Sequence, residues 1–165
     1  MHLALFTSSL LLDPWQGERS RPFVEAVPAT FAAAENAPGF IWLSEEVEPE
    51  LDVYGKLKPT FPSYYKAQDR IAQTLSAWTD ISSAWNYVYT SDRHLHALKK
   101  RTDWMQKPVR AQYVLWWRSD SKMPTHSEAV ERLEALDASG PSSNAFTFRT
   151  AFSTEGKPTV ARQSA

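Results

Sequence analysis

Apolar and polar positions alternate through His2-Leu3-Ala4-Leu5-Phe6 and give way to Thr7-Ser8-Ser9, which predicts a buried strand ending in a polar turn. Ser20 is placed to cap a helix that carries Pro22 in its first turn and Phe23, Val27, Phe31 and Ala34 on its apolar stripe. Pro28 falls inside this stripe and removes an amide donor, so a kink or break is expected there. Pro38-Gly39 closes the helix, and Phe40-Ile41-Trp42-Leu43 starts a second strand. Ile71 to Ala77 reads as a third strand. From Thr79 or Asp80 a helix follows, with Ile81, Ala84, Trp85 and Val88 at helical spacing. Thr90-Ser91-Asp92 interrupts it, and a second helical segment runs from Arg93 to about Met105. Tyr113-Val114-Leu115-Trp116-Trp117 is apolar at consecutive positions, the mark of a strand covered on both faces. Thr125-His126-Ser127-Glu128 matches a capping box, opening a helix that turns Ala129, Val130, Leu133 and Leu136 inward. Its first turn places His126 in solvent. Phe146, Phe148 and Phe152 alternate with polar residues in a final strand, and the tail after Ser153 reads as loose.

Strand, helix, strand, strand, broken helix, strand, helix, strand is the order of an α+β domain of the ferredoxin-like type, an antiparallel sheet with helices on one face. Residues 1–152 form this one domain, and 153–165 form the tail. The segment 45–69 is an insert, acidic at first and then rich in Pro, Tyr and Phe, which reads as an arm or lid over the core. An apolar second sheet face would be left bare, and a twofold copy is the simplest way to bury it, hence an expected homodimer.

Composition narrows the functions. A chain of 165 residues supports one core, and its seven Trp, eight Phe and six Tyr are an unusual number for that length; such side chains serve core, interface or ligand pocket. A net charge of -1 with scattered basic residues gives no footprint for nucleic acid. The chain has no Cys, which removes disulfides, thiol nucleophiles and Cys-ligated metals, and fits a reducing, cytoplasmic setting. Met1 to Leu12 lacks the basic start of a signal peptide, and no apolar run is long enough to enter a membrane.

Trp78, Val88-Tyr89, His94, Arg101, Trp104, Leu115-Trp116-Trp117, Pro124, Glu128-Ala129, Arg132-Leu133, Gly140-Pro141 and Ala145-Phe146-Thr147-Phe148-Arg149 together resemble an uncharacterised family of the dimeric α+β barrel superfamily, related to the antibiotic-biosynthesis monooxygenases. The resemblance covers about Trp78 to Phe152. Two departures stand out: Ser121-Lys122 replaces the family's Gly-His after the paired Trp, and the 45–69 insert is longer than the family's connection.

The resemblance implies a cofactor-independent enzyme of secondary metabolism acting on an aromatic or polyketide-like molecule, as a monooxygenase or as a cyclase or isomerase in the same pocket. His94 is then the natural base, because its ordinary pKa lies near neutrality, with Tyr89 beside it. Trp78, Trp85, Trp104, Tyr113 and Trp116 would line the substrate. Each has a plainer reading as a core aromatic or, for His94, a helix cap. Trp116 and Trp117 must point to opposite faces of one strand, so no one cavity holds both. A non-catalytic protein that holds a small apolar or aromatic molecule, or a partner, is the alternative reading. A haem protein ligated through His94 is a smaller one. His94 and His96 lie about 200° apart on a helix and do not form a metal site together.

Overall fold

A computed structural model describes residues 1–161 of the chain and, inside its third helix, the side chains of all residues but Arg93, His94, Ala97 and Leu98. Four strands, β1 (His2–Leu10), β2 (Phe40–Leu43), β3 (Ile71–Trp78) and β4 (Tyr113–Arg118), form one sheet in the order β2-β3-β1-β4. Every neighbouring pair is antiparallel. Helix α1 (Arg21–Glu35) joins β1 to β2; α2 (Ile81–Thr90) and α3 (Asp92–Trp104) join β3 to β4. This is the ferredoxin-like α+β arrangement that the order of elements predicts. Helix α4 (His126–Ser139) follows β4, and a hairpin of β5 (Ala151–Phe152) and β6 (Pro158–Thr159) follows α4. No helix among the described residues is long and apolar enough to cross a membrane.

Strand alternation sends Leu3, Leu5, Trp78 and Leu115 to one face, against Ala34 of α1 and Ile81 and Ala84 of α2. Ala4, Phe6, Leu75, Val114 and Trp116 occupy the other face, under Ala129, Val130, Leu133 and Leu136 of α4. Helices therefore cover both faces, which corrects the expectation of a bare second face. The apolar stripe of α4 needs a surface to bury, and the nearest one is the back of the strand that precedes it. Phe6, Val114, Trp116 and Leu133 are fully buried there, each worth roughly 1.5–3 kcal/mol of apolar transfer. A twofold copy is not needed to shield this face.

Several local expectations change for physical reasons. Strand β1 does not turn at Thr7-Ser8-Ser9: the Thr7 and Thr74 hydroxyls pair across the strands at 2.8 Å, and Ser8 is fully buried. Helix α1 is continuous through Pro28, so packing against α3 and β2 outweighs the lost ladder bond. Only half of the capping box forms: Glu128 N donates to Thr125 Oγ1 at 3.2 Å, while the Glu128 carboxylate turns away toward β4. The final strand is split. Phe146 bridges Leu115 at the free edge of β4, a turn follows, and Ala151–Phe152 pairs with Pro158–Thr159, so the first part of the tail is folded rather than loose.

The 45–69 segment lies across the second face. Tyr65 Oη donates to Ser8 O at 2.8 Å and Tyr64 Oη to Ala111 O at 2.8 Å, while Ser63 N donates to Glu134 Oε1 of α4 at 2.6 Å. Burial raises the pKa of both phenols, that of Tyr65 to about 12, so they remain donors. A tight turn between bridged Leu51 and Leu57 projects from it, with Val53 and Tyr54 exposed.

Candidate functional site

Strand β2 is half the length of β3 and ends where Ser44 N donates to Leu75 O at 2.9 Å. The outer edge of β3 from Ile71 to Thr74 therefore has no strand beside it, and unpaired strand edges have to be covered by something else. Two side chains do so: Trp15 Nε1 donates to Ile71 O at 2.9 Å, and Gln73 Nε2 donates to Thr60 O at 2.9 Å. Between this edge, α1, the insert and the start of α4 lies a cavity of about 470 Å³, within the size range of small-molecule sites. Trp15, Phe31, Phe61 and Ile71 supply its apolar walls, and Gln73 and His126 its buried polar groups.

His126 is the first residue of α4, set by the Thr125 cap, and is only 5% exposed. It stands edge-on to Phe6 with centroids 6.1 Å apart. Burial lowers its pKa below the ordinary histidine value, which keeps the imidazole neutral at neutral pH. Its ring has no hydrogen-bond partner among the described residues, although it lines the cavity. Gln73 Oε1 is likewise buried and without a partner. A neutral imidazole can both accept and donate a proton, and the amide oxygen accepts a hydrogen bond. The only other ionisable groups lining the cavity are the exposed carboxylates Glu45 and Glu46.

The residues singled out from the sequence lie elsewhere. Trp78 is fully buried, donates from Nε1 to Ser76 Oγ at 2.9 Å and stacks on Tyr87 at 5.1 Å. Trp116 is buried on the opposite face, as the alternation with Trp117 requires. Trp104 packs on Phe23 at 5.9 Å, and Phe23 on Trp15 at 5.7 Å, so Trp104 backs the cavity wall from two rings away. Trp85, Tyr89 and Tyr113 do come together, around Phe148: Trp85 and Tyr89 are 4.2 Å apart, and Phe148 meets all three within 5.8 Å. Burial raises the pKa of Tyr113 and keeps it protonated. Helix α3 includes His94, whose side chain lies outside the described residues. None of the other six lines the cavity.

Trp15, Gln73 and His126 were not singled out by sequence reasoning. For His126 a signal exists: positions 126, 129, 130 and 133 share one helical face, so the imidazole belongs to the buried stripe of α4 and not to solvent.

Among solved structures, a conserved protein from Methanosarcina mazei Go1 is similar at 10% identity and TM-score 0.49, over 72% of this chain and 94% of that one. SnoaB, a cofactor-independent oxygenase from Streptomyces nogalater, is similar at 11% identity and TM-score 0.45, over 73% and 95%. A dabb family protein with a ferredoxin-like fold from Mesorhizobium loti is similar at 8% identity and TM-score 0.43, over 73% and 100%. No curated protein matches the sequence significantly. A family model matches residues 2–162, nearly the whole described chain, and the protein belongs to that family, the domain of unknown function DUF3291.

Proposed function

We propose that the protein binds a small aromatic or polyketide-like molecule in the cavity beside β3 and acts on it without a cofactor, His126 serving as the base. One observation carries this reading: a nearly buried, neutral imidazole without a hydrogen-bond partner among the described residues borders a cavity walled by Trp15, Phe31 and Phe61. A buried polar group left unpaired costs free energy, and a ligand hydroxyl would recover it. The aromatic walls suit a flat ring system.

In the oxygenase form, His126 takes a proton from a phenolic hydroxyl or an activated methylene, and the imidazolium so formed stabilises the anion beside it. The electron-rich anion reduces dioxygen. A methylene becomes a carbonyl by taking one oxygen atom, and the other oxygen leaves as water with the two hydrogens removed. In the cyclase or isomerase form, the same proton is returned to another atom and no dioxygen is consumed. The test is dioxygen uptake by purified protein with anthrone-type phenols, compared with His126→Asn. Uptake lost by at least about a hundredfold in the variant supports the base. Unchanged turnover in the variant overturns it, and tight binding without any turnover leaves a protein that holds its ligand unchanged.

A further inference from the structure

The charge around the cavity is one-sided. Glu45 and Glu46, both exposed, are among the lining residues, and the lining contains no Lys or Arg. The lining also includes the His126 ring, which has no hydrogen-bond partner among the described residues. Ser44, Thr60, Gln68 and Gln73 are the other neutral polar residues of the lining; an anionic ligand would meet two carboxylates and no cation, whereas an ammonium would meet two carboxylates that attract it. Trp15, Phe31 and Phe61 add ring faces that attract a cation.

Resting on the reading of this cavity as a ligand site, we infer that its ligand is an aromatic molecule bearing an amino or other cationic group, which sits at Glu45 and Glu46, and that aromatic carboxylates and phosphates bind more weakly. The aromatic body lies between Trp15, Phe31 and Phe61, and a polar group on it faces the His126 ring. Two exposed carboxylates give discrimination of modest size, because water and salt screen each pair.

Calorimetric titration of the full chain at pH 8 with three naphthalene probes, alike except for an aminomethyl, a hydroxymethyl or a carboxylate substituent, reads this directly. The aminomethyl probe is expected to bind about threefold to tenfold more tightly than the hydroxymethyl probe, and the carboxylate the weakest. In the double variant Glu45→Gln, Glu46→Gln, whose sites are at the surface and leave the melting temperature unchanged, the advantage of the amine is expected to disappear and carboxylate binding to improve. A carboxylate that binds as well as the alcohol, or an amine advantage that survives in the variant, overturns the charge preference while leaving the cavity as a ligand site. Failure of all three probes to bind overturns both.

Discussion

The indole Nε1 of Trp116 donates to Glu128 Oε1 at 3.0 Å, tying the edge strand β4 to the first turn of the helix that covers its second face. Arg118, also on β4, pairs with the other oxygen of the same carboxylate, and Arg132 reaches Oε1 at 3.5 Å. The Arg118 and Glu128 side chains are 14% and 22% exposed, so the pair is largely desolvated. Arg118 also pairs with Asp120 at 2.6 Å and keeps that partner, so Glu128→Ala is expected to cost about 1–3 kcal/mol, chiefly by leaving the indole N–H of buried Trp116 without an acceptor. Glu128→Gln retains an acceptor for Trp116 and is expected to cost less. Urea unfolding of both variants measures the order.

Coverage of the second face by α4 makes a separate expectation. Leu133 and Phe6 are fully buried on that face, so Leu133→Ala should lose about 2–4 kcal/mol and Phe6→Ala about 3–5 kcal/mol. Val53→Ala, on the projecting turn and 92% exposed, should stay within about 0.5 kcal/mol. Equal, small losses at all three positions would mean that α4 does not close the core.

Histidine burial sets a pH dependence with a definite sign. Burial lowers the pKa of His126, and burial followed by the Arg118 guanidinium lowers that of His2. The unfolded chain then binds more protons than the folded one as pH falls past the ordinary histidine value, so stability is full above that value and declines below it. Glu50 and Asp80, whose carboxyls lie below their usual values, titrate further down and do not blur this window. Melting temperature is expected to fall between pH 7.5 and 5.5, and His126→Gln should flatten part of that slope.

Gly39 joins α1 to β2 with φ +78°, where a Cβ would collide with Ser83 Oγ and lie 2.6 Å from Thr79 Oγ1. Gly39→Ala combines left-handed strain with that collision and is expected to cost about 1–3 kcal/mol in chemical denaturation.

The elements were legible wherever one apolar period ran uninterrupted, as in β3, α2 and the stripe of α4. The pattern of β4 already held the correction to the bare second face: apolar residues at consecutive positions call for cover on both sides, and α4 supplies the second cover. Thr7-Ser8-Ser9 misled because polar residues in a short run look like a turn, and only the fold shows the Thr7 hydroxyl paired with Thr74 of β3 and the Ser8 carbonyl accepting from Tyr65 of the insert. The site was not legible for a similar reason. Its walls come from Trp15, Phe31, Phe61, Gln73 and His126, scattered along the chain with no motif, and they meet because β2 stops short of β3. The conspicuous Trp residues drew attention instead, and the structure spends Trp78 and Trp116 on the two halves of the core.

A crystal structure of the protein soaked with 2-naphthylmethanol tests the central claim most directly. The expected result is ligand density between Trp15, Phe31 and Phe61, with the hydroxyl within hydrogen-bond distance of the His126 ring. Density at any other place, with this cavity holding only water, would contradict it.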